Sequence, residues 1–172
     1  PGYTVLSYGL PGTRKSMAAA LIGKRTGLNV FRVDASRIVS KYIGETEKNI
    51  VQLFERMRVE NEKSDKKPIL FFDEADVLFS KRTQVRDAKD KWANMETSVL
   101  LPLIEEYAGL VIVATNLEQN LDDAMDRRFQ LKIKFSSPSY QERIKVWEKG
   151  LPPAFNYENA SVVPRMARYR LS

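Results

Sequence analysis

A glycine-rich loop followed by a lysine and a serine has the clearest chemistry in this sequence. The segment Gly9-Leu10-Pro11-Gly12-Thr13-Arg14-Lys15-Ser16 comes directly after a short apolar run and directly before the helix-forming Met17-Ala18-Ala19-Ala20. In such a context the amides at a helix N-terminus surround a phosphate chain, the lysine reaches the outer phosphates and the serine hydroxyl binds Mg²⁺. The residues expected to contact a nucleotide are Pro11, Gly12, Thr13, Arg14, Lys15, Ser16 and Met17.

The loop departs from the phosphate-binding pattern at one position. Arg14 stands where G-x-x-x-x-G-K-[ST] has its second glycine. Glycine suits that position because the backbone comes close to the phosphates, and a residue with a Cβ adopts the required conformation at a cost of about 1 to 3 kcal/mol. Two interpretations follow. The segment is either a nucleotide site with weakened or altered binding, or a glycine-rich turn that joins a strand to a helix.

Two acids and one amide follow later apolar runs. Asp73 and Glu74 end one run, and Asn116 follows the next. Beside a phosphate loop, Asp73 can hold the water shell of Mg²⁺ together with Ser16, while Glu74 polarises an attacking water. Asn116 can orient that water or touch the γ-phosphate. The alternatives are a pair of acids that cap a loop and an amide that belongs to a turn.

The elements that must position these residues alternate along the chain. Short apolar, β-rich runs separated by helical stretches are typical of a parallel sheet covered by helices on both faces. We expect the loop, the acids and the amide to lie at the edge formed by the carboxyl ends of the strands. The expected strands are Thr4 to Tyr8, Asn29 to Val33, Ile69 to Phe72, Leu110 to Ala114 and Leu131 to Phe135.

Four helices are predicted between and after these strands. The first is Lys15 to Thr26, closed by Gly27, and the second runs from Glu45 to about Glu62. A capping box of Ser139 and Glu142 opens the last of them, which carries Ile144, Val146 and Trp147. The third helix contains Pro102 and is expected to place core residues on one side, namely Trp92, Met95, Val99, Leu103 and Tyr107.

The composition excludes several kinds of chemistry. There is no cysteine and no histidine, so disulfides, thiolate catalysis, histidine bases and the usual zinc sites are ruled out. No apolar run approaches the roughly 20 residues that span a bilayer, and no signal-peptide pattern is present, so we expect a soluble, cytoplasmic protein. The net charge of +6 is spread over scattered residues, which indicates a solvated face; binding of nucleic acid is the lesser alternative.

Taken together, the motifs resemble those of AAA+ ATPases of the protein-remodelling branch. GLPGTRKS resembles Walker A, FFDEAD resembles Walker B and ATN resembles sensor 1, and the resemblance covers about Leu6 to Gly150. It implies an α/β P-loop NTPase core whose five-stranded parallel sheet has the order 5-1-4-3-2. It also implies ATP and Mg²⁺ as cofactors, and ATP hydrolysis that drives the remodelling, unfolding or disassembly of proteins.

A segment before the last strand resembles the one that carries the arginine fingers of this family. It runs from Leu121 to Phe129, and Arg128 is the first candidate for a finger, with Arg127 the second. Because a finger acts on the nucleotide of a neighbouring subunit, the resemblance implies a homo-oligomer, usually a hexamer. The alternative is a basic turn that caps a short helix.

The loop after the second strand resembles a substrate-gripping pore loop. In Ser40-Lys41-Tyr42-Ile43-Gly44-Glu45, the aromatic-aliphatic pair Tyr42 and Ile43 matches the residues that line the pore of polypeptide-threading members. Residues 81–94 resemble, more loosely, the second pore loop of bacterial members. The match implies a protein substrate and makes nucleic acid unlikely. The alternative is that Tyr42 packs under the following helix.

The chain is expected to divide near residue 150. We interpret residues 1–150 as the nucleotide-binding core, and residues 151–172 as a linker, proline-rich from Gly150 to Ala154, and the start of an incomplete helical lid. The adenine-pocket segment and the sensor 2 position of the family are expected to lie outside this chain. Two functional hypotheses remain: an active ATP-driven motor, and a degenerate AAA+ subunit whose nucleotide binding is impaired by Arg14 and whose role in a ring is structural or regulatory.

Overall fold

The described part of the chain contains one parallel sheet. The computed structural model describes residues 2–42, 44–63, 65–79, 90–116, 127–151 and 162–169, including the side chains of 98–116 in the fourth range. The sheet order is β2-β3-β4-β1-β5, which confirms the predicted order read from the opposite edge. Its strands are β1 (Tyr3–Tyr8), β2 (Val30–Asp34), β3 (Ile69–Asp73), β4 (Leu110–Thr115) and β5 (Leu131–Lys134).

The central strands are buried on both faces, which explains their continuous apolar runs. Every residue of β3 is buried, and so is every residue of β4 after Leu110. The strand ends differ from the predicted ones by a residue because pairing with a neighbour sets them. Thus β2 extends to Asp34, which pairs with Asp73, and β5 stops at Lys134, which pairs with Tyr8 at the end of β1.

The helices that connect the strands begin and end close to the predicted residues. The first ends at Gly27, whose φ of 69° is the left-handed conformation that glycine adopts readily. Tyr107 is predicted on the third helix and lies one residue past the observed end of that helix at Glu106, although it packs in the core as expected. The helices are α1 (Lys15–Thr26), α2 (Glu45–Glu62), α3 (Asp76–Phe79), α4 (Asp90–Glu106), α5 (Tyr140–Gly150) and α6 (Val162–Met166), with a 3₁₀ turn at Ala35–Arg37.

Helices cover the two faces of the sheet unequally. On one face Ala19 of α1 packs against Phe71 and other apolar residues of β3 and β4. On the other face α2 and α4 enclose the larger core, where the rings of Phe54 and Phe72 stack with centroids 6.0 Å apart. This second core contains most of the buried apolar side chains. Fully burying one phenylalanine stabilises a fold by about 1.5 to 3 kcal/mol.

The last two helices contact each other. Ser139 and Glu142 make the predicted capping box at the start of α5. The side chain of Arg143 donates from Nε to the carbonyl oxygen of Ala167, 2.6 Å away, and so ties α5 to the turn after α6. Of the predicted linker, Gly150 ends α5, and residues 152–160 lie outside the described residues. Within the described ranges, every helix is too short or too polar to cross a lipid bilayer.

Candidate nucleotide-binding site

The glycine-rich loop lies between β1 and α1, where the backbone is closely packed. Gly9 has a φ of 143°, and a Cβ built on it would lie 2.1 Å from the carbonyl oxygen of Phe135. A side chain at this position is therefore excluded by the neighbouring backbone. Gly12 also has a positive φ, of 76°. The loop thus takes a path that glycine permits, at the carboxyl edge of the sheet.

Arg14 is the N-cap of α1 and adopts the conformation for which the sequence pattern specifies glycine. Its φ and ψ are 68° and 28°, in the left-handed region. For a residue with a Cβ this conformation costs about 1 to 2 kcal/mol. The side chain is exposed and lines a cavity of about 600 Å³ that also includes Met17, Val146 and Trp147. Arg14 therefore strains the backbone at the start of α1.

The N-terminus of α1 is open to an anion. Among the described residues no side chain caps this helix end, and its first turn contains no acidic residue. The first amides of a helix have no partner within the helix, and the helix dipole favours negative charge there. A phosphate group can therefore accept hydrogen bonds from the backbone of Lys15, Ser16 and Met17.

Lys15 is buried beneath the loop and fully engaged. Its side-chain ammonium donates to the carbonyl oxygens of Gly9 at 2.7 Å and Leu10 at 3.0 Å and to Oδ1 of Asn116 at 2.8 Å. Burial lowers the pKa of Lys15, while the negative charges of Asp76 and Asp73 oppose that shift. Since an ammonium has three hydrogens, Lys15 must release one of these acceptors to bind a phosphate.

Ser16 and Asp73 meet at the same edge, as the sequence predicts for a magnesium site. Ser16 Oγ donates to Asp73 Oδ2 at 2.9 Å, and the side chain of Asp73 is 10% exposed. A hydroxyl and a carboxylate are oxygen ligands of the kind that Mg²⁺ takes beside the phosphates of a nucleotide. The pair therefore fits the cation. Arg32 of β2, which sequence reasoning did not select, places Nη2 2.6 Å from the same Asp73 oxygen.

Glu74 follows Asp73 in a strained backbone conformation. Its φ is 53°, and its amide donates to Oδ1 of Asp73 at 3.1 Å. The side chain is exposed at the carboxyl end of β3. A non-glycine residue in the left-handed region costs of order 1–3 kcal/mol and is often found at functional sites. The turn directs the Glu74 carboxylate away from the buried strand.

Asp76 is a site residue that sequence reasoning missed. One of its carboxylate oxygens accepts hydrogen bonds from the backbone amide of Asn116 at 2.7 Å and from the Thr115 hydroxyl. The other oxygen accepts from Asn116 Nδ2 at 3.0 Å. The available signal was its place as the third acid in Asp73-Glu74-Ala75-Asp76, three residues after the predicted magnesium ligand.

These contacts fix the orientation of the Asn116 side chain. A carboxylate can only accept, so the amide nitrogen of Asn116 must face Asp76 and the amide oxygen must face Lys15. Lys15, Asn116 and Asp76 therefore form one chain of hydrogen bonds. The structure brings the predicted residues Lys15, Ser16, Asp73 and Asn116 together, and adds Asp76 to them.

The candidate arginine fingers lie elsewhere, in the turn before β5. Arg128 makes an ion pair with Glu105, with Nη1 and Oε2 2.6 Å apart, and both side chains are less than half exposed, at 42% and 43%. Its carbonyl oxygen accepts a hydrogen bond from Thr4 Oγ1 at 2.9 Å. Arg127 is exposed, and residues 121–126 lie outside the described residues. These two partners of Arg128, Glu105 and Thr4, are remote from the phosphate loop.

The candidate pore residue Tyr42 points into solvent. The residue is 73% exposed, so the alternative that it packs under the following helix is wrong. Gly44, with a φ of 81°, is the N-cap of α2. Ile43 lies outside the described residues. Residues 81–89 of the second candidate pore loop also lie outside them, and 90–94 form the start of α4.

Fold and site together define an α/β nucleotide-binding core with a phosphate loop on its first strand. Residues 5–137 match the family described as "ATPase family associated with various cellular activities (AAA)". This match covers most of the chain, and the chain belongs to that family.

Similar proteins include members with long additional segments. Cell division protein C of Sulfolobus acidocaldarius is 33% identical over 142 residues, which are 81% of this chain and 38% of that protein. The 26S proteasome regulatory subunit 6B homolog of Schizosaccharomyces pombe is 34% identical over 150 residues, 83% of this chain and 36% of that protein. The crystal structure of the FIGL-1 AAA domain in complex with ADP has a TM-score of 0.69 and 28% identity, covering 98% of this chain and 55% of that chain. This chain therefore spans well under half of both curated relatives.

Proposed function

We propose that this chain is the nucleotide-binding part of an ATP-driven machine that remodels, unfolds or disassembles proteins. In this proposal residues 1–150 form the core that binds ATP, and residues 151–172 begin a helical lid. The observation that carries the proposal is the convergence of Lys15, Ser16, Asp73 and Asn116 beside an uncapped helix N-terminus. The lysine ammonium, the serine hydroxyl, the aspartate carboxylate and the asparagine amide are the groups that a site for a Mg²⁺-nucleotide requires.

The loop residues Pro11 to Met17 would hold the phosphates through backbone amides. Lys15 would exchange one of its protein acceptors for an outer phosphate oxygen, and Ser16 and Asp73 would hold Mg²⁺. Mg²⁺ would stabilise the negative charge on the phosphates while the γ-phosphoryl group is transferred to water. The cavity beside Met17 and Trp147 lies next to the loop and has room for a base. Similarity to the FIGL-1 AAA domain, which was solved with ADP, supports a nucleotide in this place.

Hydrolysis would depend on residues at the ends of β3 and β4. Glu74 is proposed as the base that activates water, and Asn116 as the residue that orients it. Arg128, with Arg127 as the second candidate, would act on the nucleotide of a neighbouring subunit in a ring, which we propose to be a homohexamer. Release from Glu105 would be needed before Arg128 reaches a neighbour, because the two form an ion pair in the isolated chain.

We propose that the substrate is a protein and not a nucleic acid. Tyr42 is exposed, and we propose that it and Ile43 contact a polypeptide. One relative is named as a regulatory subunit of the 26S proteasome, which supports action on proteins as part of an assembly. The scattered positive charges do not supply the clustered surface that nucleic acid requires.

The second candidate function is that of a degenerate ring subunit with impaired nucleotide binding. Arg14 favours it, because its left-handed backbone carries strain that glycine would avoid. Such a subunit would keep the fold and its contacts with neighbours and would serve a structural or regulatory role.

Calorimetric titration of Mg²⁺-ATP and Mg²⁺-ADP tests the two candidates, because binding needs no partner subunit. The titrations compare the native chain, the Arg14→Gly variant and the Lys15→Ala variant as the negative control. Equal binding by the native and Arg14→Gly chains supports the active motor. Binding by the glycine variant alone supports the degenerate subunit. Absence of binding in both, or binding that survives Lys15→Ala unchanged, overturns the proposed nucleotide site.

A further inference from the structure

Arg32 contacts the same oxygen of Asp73 as Ser16, the other proposed magnesium ligand. Its Nη2 lies 2.6 Å from Asp73 Oδ2, and Ser16 Oγ donates to this same oxygen at 2.9 Å. The guanidinium therefore brings positive charge to the carboxylate at the point where the proposed magnesium ligands meet. A full positive charge there balances an almost buried negative one.

Arg32 is free to move away from this carboxylate. Its side chain is 66% exposed, and a single nitrogen makes the contact, so the pair is not bidentate. A second carboxylate, Asp34, follows it on β2. The Ser36 hydrogen bond is the main cause of the lowered pKa of Asp34, and the charges of Arg37 and Arg32 lower it further. Arg32 thus lies near acids on two neighbouring strands, and Asp34 also pairs with Arg37 at 3.3 Å.

We propose that Arg32 is a positioning residue that competes with Mg²⁺ for Asp73, so that nucleotide binding depends less on the cation than it would without this arginine. The inference rests on the proposed nucleotide site. In the empty site Arg32 neutralises Asp73 and holds it in place. In the occupied site the arginine turns toward Asp34. The residue therefore sets how much the cation adds to nucleotide affinity.

The test is the ratio of the ADP dissociation constant in EDTA to that in Mg²⁺, measured by calorimetry. Arg32→Gln removes the charge and leaves a shorter polar side chain, and it should raise the ratio by roughly two- to fivefold, the upper part of the range for an exposed ion pair. Arg58→Gln is the matched control, since Arg58 pairs with Glu55 on α2, away from the site, and is 68% exposed. The same ratio in both variants and the native chain overturns the inference.

The measurement also separates this inference from the proposed function. Both variants are prepared in the native and the Arg14→Gly backgrounds, and absence of ADP binding in every protein overturns the proposed nucleotide site. Thermal unfolding in EDTA separately tests the ion pair on which the inference depends. A midpoint lower by a few degrees in Arg32→Gln than in Arg58→Gln supports the ion pair that holds Asp73, and equal midpoints contradict it.

Discussion

The two edges of the sheet use polar groups in different ways. At the carboxyl edge, Lys15 and Asp73 are charged and buried, and Arg14 and Glu74 have positive φ. At the amino edge, the hydroxyl of Tyr107 donates to the carbonyl oxygen of Pro68 at 2.8 Å while its ring packs in the core. In the described ranges, the non-glycine residues with positive φ are confined to the carboxyl edge.

This difference shows where the fold tolerates features that lower its stability. Buried charge and left-handed backbone both reduce stability, and strain of this kind collects at functional sites because the surrounding structure holds it in place. At the amino edge the Tyr107 contact satisfies a backbone acceptor and adds stability. The carboxyl edge is therefore expected to govern nucleotide binding and turnover, and the amino edge is expected to govern the free energy of unfolding alone.

The largest expected effect is on turnover, at the carboxyl edge. Glu74→Gln should lower the rate of ATP hydrolysis by the assembled protein by about 10²- to 10⁴-fold, because it removes the base that activates water. Phosphate release at saturating ATP measures the rate, and calorimetry should find nucleotide affinity within a factor of about three of the native value. Glu106→Gln, near the amino edge, is the control and should leave turnover unchanged. Equal turnover in the two variants would contradict the assignment.

The next effect concerns the hydrogen bonds that hold Asn116. Asp76→Ala should lower the free energy of unfolding by about 1–3 kcal/mol, since it leaves donors of Asn116 and Thr115 without their acceptor. With Asn116→Ala it should show a coupling energy of about 0.5–3 kcal/mol in a double-mutant cycle measured by denaturant unfolding. Strict additivity of the two substitutions would show that the chain from Lys15 through Asn116 to Asp76 is not formed in solution.

At the amino edge the expected effect is smaller and confined to stability. Tyr107→Phe should lower the free energy of unfolding by about 0.5–1.5 kcal/mol, because the Pro68 carbonyl loses its donor. Nucleotide affinity should not change. If Tyr107→Phe lowered the free energy of nucleotide binding by more than it lowered the free energy of unfolding, the distinction between the two edges would be wrong.

The same substitution has a pH signature. Burial raises the pKa of the Tyr107 hydroxyl above its ordinary value of 10.0. The folded protein therefore holds this proton more tightly than the unfolded chain, so the contribution is complete below pH 10.0 and is lost as the pH rises through the folded pKa. Denaturant unfolding between neutral pH and the alkaline limit should show a shallower decline in Tyr107→Phe than in the native chain.

The smallest expected effect is on the free energy of unfolding, and it is tested by substitutions at the two ends of α1. Arg14→Gly should raise the free energy of unfolding by about 0.5–1 kcal/mol, because strain at φ 68° is relieved while the unfolded chain gains some freedom. Gly27→Ala is the mirror control: its φ is 69° with no atom within 4 Å of an added Cβ, so it should destabilise by about 1 kcal/mol. Destabilisation by Arg14→Gly would mean that the arginine side chain contributes contacts that outweigh the strain.

Much of the fold was predictable because its determinants are local. Apolar runs gave the strands, Gly27 marked the end of α1, and Ser139 with Glu142 marked the start of α5. The loop that contains Lys15 was likewise identified from a contiguous pattern. Family resemblance then supplied the strand order, which no local signal in the chain encodes.

The parts of the site that escaped prediction depend on distant pairing. Asp76 contacts Asn116, forty residues away, only because β3 and β4 are neighbours that end at the same level. Arg32 reaches Asp73 across the β2–β3 pair. A spacing along the chain cannot reveal such contacts, since they require the register of the strands as well as their order.

The central claim is that nucleotide phosphates bind at the carboxyl edge, and backbone amide chemical shifts test it most directly because one spectrum samples both edges. Addition of Mg²⁺-ADP to the ¹⁵N-labelled chain should shift the amides of Gly12 to Met17 most strongly and leave Tyr107 and Gly109 unmoved. If the amides of the loop stay in place, or if the largest shifts appear around Tyr107, the proposed site is contradicted.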